Sequence, residues 1–465
     1  MLTQKLAEFA INTREADVPA AVLDGARDAL VDTLGCALAG SLDEGSEIAQ
    51  RWVRETGARE QSTVLGTPLL TSPAEAAFAN GLASHALDFD DSLVTLRGHP
   101  TAPMLGAGLA IGEAAGASGK AVLAAISIGL EVGGKIGPVL GAGHYMKGWH
   151  STATVGVFSA TVVAARLWGL TVDQLQTAWG IAASEASGLI RNFGSMTKPF
   201  HAGHAARSAV MAAWLAKNGF TADTQIFDGK NNFFSTYAGE DAVPLESTII
   251  NLGSPWEMLT PGIYVKRWPC CYCNHRPVGG MFELIKQHNI KADEVDKVRI
   301  GFLPGADTPL IHRDPHTGLE GKFSIEYNAA AALLDGKLTM ETFTDAMVQR
   351  PEIRAYMPKV ERFYIPDKKF YSGVTGYNDI EIVTSRGTFK LHIDRVPGSS
   401  AWPMTAEARA EKFLDCAGRV LGSAGASKLF ETAERCGQLA TISELIRATV
   451  PLQTRASEAA EKALA

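Results

Sequence analysis

Apolar residues recur at intervals of three and four along most of the first half of the chain, the spacing that lines one face of an α-helix. Ala76 to Leu87, Val122 to Val132 and Leu175 to Ile190 carry it most clearly. Alanine and glycine fill many neighbouring positions, and small residues on several faces let helices approach closely. The pattern changes near Pro261-Gly262. Val298, Ile300 and Phe302 alternate with Lys297, Arg299 and Gly301, as on a half-buried strand. Ile380, Ile382 and Thr384 alternate likewise. Ser385-Arg386-Gly387 then turns the chain, and Phe389, Leu391 and Ile393 alternate on the return, which predicts a hairpin. Helical spacing reappears at Asn328 to Leu334 and Met340 to Gln349, and again at Ala406 to Leu421 and Ile442 to Ala448. The fold expected is mainly α. Residues 1–262 and 400–465 form a large all-α helical domain, and residues 263–399 form a smaller α+β lid domain inserted before the C-terminal helices.

Composition narrows the function. The 465 residues are 46% hydrophobic and 20% charged, with a formal net charge of -7. That apolar content excludes a disordered chain, and the length favours two domains over one. The acidic balance argues against nucleic acid as a partner, since nucleic-acid binders usually carry a basic surplus. The apolar run Ala153 to Ala165 is shorter than the roughly 18 residues a membrane span needs, so no membrane partner is expected. The opening Met1-Leu-Thr-Gln-Lys-Leu-Ala-Glu8 lacks the basic-then-apolar order of a signal peptide. Cys36, Cys270, Cys271, Cys273, Cys416 and Cys436 are spaced unlike a disulfide framework, and a reducing cytoplasm fits them.

Four polar clusters stand out by their histidines. The first is His85-Ala-Leu-Asp88-Phe-Asp90-Asp91-Ser92, continuing to Arg97-Gly-His99. Its carboxylates lack the alternating pattern of a calcium loop. They read either as solvated acids at a helix end or as a device in which Asp88 or Asp91 fixes the tautomer of a histidine such as His99. The second is His144-Tyr145-Met-Lys147-Gly-Trp-His150-Ser-Thr152, before a small-residue helix whose first N–H groups can face an anion. The third runs from Arg191 through Lys198-Pro-Phe-His201 to His204 and Arg207, where the lysine reads either as a solvated surface residue or as a base whose basicity the neighbouring cations lower. The fourth is Lys266-Arg267-Trp-Pro-Cys270-Cys271-Tyr-Cys273-Asn-His275-Arg276. Its Cys-Cys-x-Cys-x-His spacing is too compact for zinc, so no metal site is assigned and anion binding is the better reading. No Gly-x-Gly-x-x-Gly, phosphate-binding loop or nucleophile elbow is present, and no cofactor is expected. Chemistry built from these residues is acid–base chemistry in which cations neutralise substrate carboxylates.

At these clusters the sequence resembles the MmgE/PrpD family. The matching stretches are His85-Ala-Leu-Asp-Phe-Asp-Asp91, His99-Pro100, Gly148-Trp-His-Ser-Thr-Ala-Thr-Val-Gly156, Thr197-Lys-Pro-Phe-His-Ala-Gly203, Lys266-Arg-Trp-Pro269 and Phe323-Ser-Ile-Glu-Tyr-Asn328. They run in order through nearly the whole chain. The family includes 2-methylcitrate dehydratase, cis-aconitate decarboxylase and iminodisuccinate epimerase. The resemblance implies a helical domain with a smaller lid and the active site between them, a homodimer, and no metal or organic cofactor. It places Asp88, Ser92, His99, His150, Lys198, Lys266 and His275 around the substrate. Ser92 stands where the decarboxylase branch has a threonine, and Cys271 where it has a catalytic histidine.

Proton abstraction next to a carboxylate unites these reactions. A dehydratase adds an acid that expels hydroxide, whereas an epimerase needs two bases on opposite faces of one carbon. Tyr145 and Lys198, with the Cys270–Cys273 stretch, resemble the epimerase branch most. The expected function is thus epimerisation of a small aminopolycarboxylate, with Lys198 and Tyr145 exchanging the α-proton. His150 and Asp88 tune them, while His99, Lys266, Arg267, His275 and Arg191 clamp carboxylates. Two alternatives remain: a dehydratase of a 2-methylcitrate-like hydroxy acid, and a non-catalytic polycarboxylate-binding protein.

Overall fold

The computed structural model describes residues 1–371 and 375–451, so the last 14 positions of the expected helical tail, 452–465, lie outside the described residues. The chain divides into two compact units. One comprises Met1–Leu189, Pro199–Ile263 and the chain from Thr405; the other comprises Ile190–Lys198 and Tyr264–Met404. The second unit therefore begins close to the expected boundary but also takes in Ile190–Lys198, which the sequence reading left in the helical domain. The reason is local packing: the Phe193 ring lies 5.2 Å from that of Phe323, and the Phe193 carbonyl faces His312 Nε2 at 3.0 Å.

The first unit is helical. Its main helices include Ala20–Gly40, Pro73–Ala86, Thr101–Ala115, Gly119–Ile136, Gly156–Leu167, Val172–Glu185 and Ala406–Glu434. Their starts are written in the sequence. Ser72, Ser118 and Thr405 each accept a hydrogen bond from a backbone N–H in the first turn, which satisfies a donor that the helix leaves open. Leu34, Leu105, Ile126, Val162, Trp179 and Leu429 sit fully buried in one continuous core. The many small residues earn their places by contact. A Cβ on Gly106 would come within 2.8 Å of the Ala77 carbonyl and 2.9 Å of the Gly81 nitrogen, so helix Thr101–Ala115 lies directly on the backbone of Pro73–Ala86. The segment Gly119–Leu140 is long and apolar enough to cross a membrane by length and composition, but its most apolar window is 94% buried inside the unit, as suits a core helix. Two short strands, β1 (Ser62–Thr63) and β2 (Leu70–Thr71), pair antiparallel beside the helices.

Two helix ends differ from the expected spans. The helix expected to reach Ile190 stops at Glu185. Gly188 then takes a positive φ of 114° and its carbonyl accepts a hydrogen bond from the His150 backbone N–H, so tertiary pairing overrides the apolar period. At the other end of the chain, the helix expected to stop at Leu421 continues to Glu434 through a break at Gly422, whose φ is 67°.

The second unit holds a four-stranded sheet of order β4-β3-β5-β6, from β3 (Val295–Phe302), β4 (Val360–Tyr364), β5 (Asn378–Thr384) and β6 (Gly387–Ile393). The predicted hairpin is β5–β6, closed by Ser385-Arg386 with Thr384 opposite Gly387. Along β5 burial alternates strictly, with Ile380 and Ile382 inward. β3 also pairs in parallel with β4, a strand the sequence reading did not expect. Helix Tyr272–His288 packs on β5 and β6. The stretch Met340 to Gln349 forms a short 3-10 turn, Glu341–Phe343, and a one-turn helix, Asp345–Val348, rather than one helix.

Candidate active site

In the first unit two histidines meet one aspartate, and two more lie beside them. His85 ends helix Pro73–Ala86 and is 1% exposed. Its Nδ1 lies 2.9 and 3.0 Å from the two oxygens of Asp90. His99 Nδ1 lies 3.2 Å from the same carboxylate, and its Nε2 is 3.6 Å from Asp88. The His85 and His99 rings are 4.3 Å apart. His150 stacks 5.9 Å from His85, and its Nδ1 meets His201 Nδ1 at 3.0 Å. Only one nitrogen of that second pair can donate, so the two imidazoles share a single proton across the contact.

The loop that carries the aspartates is fixed by its backbone. Asp88 and Arg97 adopt left-handed φ values of 53° and 58°, a conformation that side-chain-bearing residues hold only when their surroundings demand it. The His99 backbone N–H donates to Thr152 Oγ1 at 3.0 Å. Gly98 permits this approach, because a Cβ there would lie 2.7 Å from the Thr152 nitrogen. Thr95 donates to Glu257, which also holds Lys135 at 2.9 Å.

Adjacent carboxyls in this loop behave oppositely. Burial resists ionisation of Asp90, but the charges of His85 and His99 and their hydrogen bonds outweigh it and hold the group well below the usual carboxylate range. An ionised Asp90 only accepts, so the His85 Nδ1 bonded to it donates, while His99 Nδ1 stands within ion-pair distance. Asp91 is also fully buried, and burial pushes it up to about 8, against the opposing bond from Thr101 and with help from the charges of Asp90 and Asp32. Asp91 bonds Thr101 Oγ1 at 2.5 Å and its backbone N–H at 3.3 Å. Tautomer control of the histidines thus falls to Asp90, with Asp88 near His99. Asp91, one of the two carboxylates the sequence reading considered, is a neutral brace for the next helix. Asp88, Asp90 and Asp91 are all buried, so the identity of the shared acceptor depends on which of them the folded loop sets against the histidines, and that is not legible in the sequence. The ligating atoms of His85, Asp88, Asp90 and His99 lie within 4.8 Å of one another, a donor set a cation can use. The direct His85–Asp90 hydrogen bonds nevertheless engage lone pairs that an ion would require, and the arrangement is that of a hydrogen-bonded charge cluster.

The remaining first-unit candidates lie on the same stretches. Ser92 is 5% exposed, immediately after Asp91. Tyr145 is half-buried on the short helix Gly143–Met146 and interacts electrostatically with Arg97. Lys147 reaches towards Gly239, where a Cβ would meet its Nζ at 2.8 Å. His144 bonds Thr154 Oγ1 at 2.9 Å, and burial with the charges of Arg97 and Lys147 lowers it to about 3, so it is neutral.

In the second unit, Lys198 and Lys266 are buried, while Arg191 and Arg267 are exposed. The Lys198 ammonium lies 5.3 and 5.4 Å from the ring centres of Phe193 and Phe323. Arg267 lies over the Trp268 ring. His275 is fully buried. Its Nε2 accepts from the Trp268 backbone N–H at 3.2 Å, and its Nδ1 faces the Cys271 carbonyl at 3.4 Å. Both ring nitrogens of this expected carboxylate clamp therefore brace the loop between Trp268 and Cys271, which fixes His275 as the neutral imidazole. Cys273 is kept a thiol by its hydrogen bond with Cys271 and by burial.

Comparison with known proteins agrees with this layout. The MmgE/PrpD N-terminal domain matches residues 4–246, and the MmgE/PrpD C-terminal domain matches residues 268–437. Cis-aconitate decarboxylase of Homo sapiens is 28% identical over 438 residues, covering 90% of each chain. The protein of that name from Mus musculus is 29% identical, covering 90% of this chain and 87% of its own. A probable 2-methylcitrate dehydratase of Saccharomyces cerevisiae is 28% identical, covering 75% of this chain and 72% of its own. With both family domains matched in order across the two units, the chain belongs to the MmgE/PrpD family.

Proposed function

We propose that this protein is an enzyme that moves a proton on a carbon α to a carboxylate of a small polycarboxylate. The observation that carries the reading is the buried cluster of His85, His99 and Asp90 beside the proton-sharing His150–His201 pair. Imidazoles anchored on an ionised carboxylate in a dry setting are suited to giving and taking protons. The names of its relatives, a decarboxylase and a dehydratase, support a polycarboxylate substrate.

Within that class the reading is epimerisation of an iminodisuccinate-like aminopolycarboxylate. Tyr145 is one base, supported by the Arg97 cation that interacts with it, and Lys198 is the other. Lys266, Arg267 and Arg191 supply cationic charge for carboxylates. His150 and Asp88 orient the proton-transfer groups. Dehydration of a 2-methylcitrate-like substrate is the second reading, favoured by the imidazole pair on Asp90, which has the form of an acid for a leaving hydroxide. Incubation in deuterium oxide separates the two. Inversion with deuterium entering the α-carbon of iminodisuccinate supports the epimerase. Alkene absorbance and loss of water from 2-methylcitrate, without inversion, sinks it. Full activity in Lys198→Ala removes Lys198 as a base.

A homodimer in a reducing, cytoplasmic setting completes the proposal. Phe200, Met211 and Trp214 line one face of helix Thr197–Lys217 and are 40%, 39% and 55% exposed, an apolar strip suited to a second copy. Light scattering on the eluting protein should give twice the chain mass, and Trp214→Glu should shift it towards the monomer.

A further inference from the structure

We propose that Lys412, on helix Ala406–Glu434, is a positioning residue that holds the Phe89 carbonyl and so sets where Asp88 and Asp90 stand. The inference rests on the acid–base reading of that loop. Lys412 Nζ donates to the Phe89 carbonyl oxygen at 2.7 Å. The same ammonium lies 4.0 Å from the centre of the Phe89 ring and 2.7 Å from Asp32 Oδ1 on helix Ala20–Gly40. Lys412, Phe89 and Asp32 are 8%, 7% and 7% exposed.

A buried ammonium demands an explanation. A lysine–aspartate pair in a core is often replaceable by two apolar side chains without loss of stability, so the ion pair alone is weak grounds for keeping it. A carbonyl clamp is something no apolar side chain provides. The carbonyl belongs to the residue between Asp88, held in the left-handed region, and Asp90, held by two histidines. Asp91 anchors the same loop on its other side through Thr101. The charged and titratable groups facing Lys412 among the described residues include Asp32 and Cys36 on helix Ala20–Gly40 and Cys416 on its own helix. Asp90 in turn acts on Asp32. Burial lowers the basicity of Lys412, yet these neighbours outweigh it, so the ammonium stays charged and able to donate. Lys412 thus ties helix Ala406–Glu434 to the acid–base loop, which lies 323 residues earlier.

The test compares full-length Lys412→Met and Lys412→Arg with the parent protein. The downfield Nδ1 proton that His85 donates to Asp90 is read by NMR on histidine-labelled protein. Turnover is read with iminodisuccinate and 2-methylcitrate, and melting temperature is followed alongside. Lys412→Met should lose or shift the imidazole signal and lower kcat about 10²-fold, the scale of a misplacement near 1 Å, with KM little changed. Lys412→Arg should restore the signal and most of kcat. If Lys412→Met fails to fold, the double variant Lys412→Met with Asp32→Leu removes both charges of the pair and should show the same loss of signal. An unchanged signal and kcat, with only the melting temperature lowered, would falsify the proposal. His99→Asn keeps the tests apart: full activity in that variant removes the acid–base reading, while the NMR comparison still decides whether Lys412 sets the loop.

Discussion

The segments 85–101 and 264–276 are both short, polar and rich in histidine, yet the fold uses them in opposite ways. In the first, side chains pair with side chains: His85 and His99 converge on Asp90, beside the His150–His201 pair from elsewhere in the same unit. In the second, side chains serve the backbone: His275 braces Trp268 and Cys271, and Tyr272 donates to the Pro397 carbonyl. Charge paired with charge inside a dry core remains poised for proton transfer. Charge or polarity tied to backbone amides becomes scaffolding. Histidine content alone therefore says little; the partner of each ring decides its role.

The sharpest way to break this contrast is Asp90→Asn. It leaves two imidazoles without their shared counter-charge, so turnover of the polycarboxylate should fall by about 10²-fold or more. Removing one partner of a buried pair should also destabilise the protein by about 3–5 kcal/mol in denaturant titrations. Retention of full turnover would remove Asp90 from the mechanism.

The next largest effect concerns pH. Asp91 is raised to about 8, so between the ordinary carboxyl range and pH 8 the native state keeps a proton that the unfolded chain has released. Its favourable contribution is complete below the unfolded value and is lost as pH rises through 8. Asp90 has the opposite sign, since its lowered value stabilises the fold above the unfolded range and that benefit is lost in acid. Asp91→Asn keeps an acceptor for Thr101 and cannot ionise. Relative to the parent, it should gain about 4 kcal/mol between pH 5 and pH 9. Parallel stability–pH curves for the two proteins would show that Asp91 is already ionised at neutral pH.

In the second segment, His275→Leu should lower stability by about 1–2 kcal/mol through the orphaned Trp268 N–H, with a smaller loss of turnover than Asp90→Asn. Arg267→Ala, on an exposed side chain, should leave stability within about 0.5 kcal/mol and change KM alone. If Arg267→Ala matched Asp90→Asn in lost turnover, the division between the segments would fail.

How much of this was legible follows from the range of each interaction. The alternation at Ile380 and Ile382 and the turn at Ser385-Arg386 are local, and they mark the hairpin correctly. The caps at Ser72 and Ser118 are equally local, although the hydrophobic pattern alone does not name them. Strand β4, Val-Glu-Arg-Phe-Tyr, lies at the sheet edge and has only Val360 buried, so no period of two announces it. The motif around Asp88 could be found, but choosing Asp90 over Asp91 required the backbone turn and the distant Thr101. His201 was visible only as part of a cluster, because its partner His150 lies 51 residues away.

The three-part construction of the helical unit bears on how the protein is made. The chain from Thr405 supplies Lys412 to the Phe89 carbonyl, the Leu439 carbonyl to the Gly119 N–H and the Ile442 N–H to the Ala117 carbonyl. A ribosome delivers these pieces after the rest of the helical unit. Until they emerge, the histidine loop lacks its carbonyl clamp, and helix Gly119–Ile136 lacks the Leu439 contact at its N-terminal end. Synthesis of the stretch from Thr405 to Ile442 is therefore the step that completes the proton-transfer cluster, and a chain released before it carries every histidine of the site without the frame that aligns them.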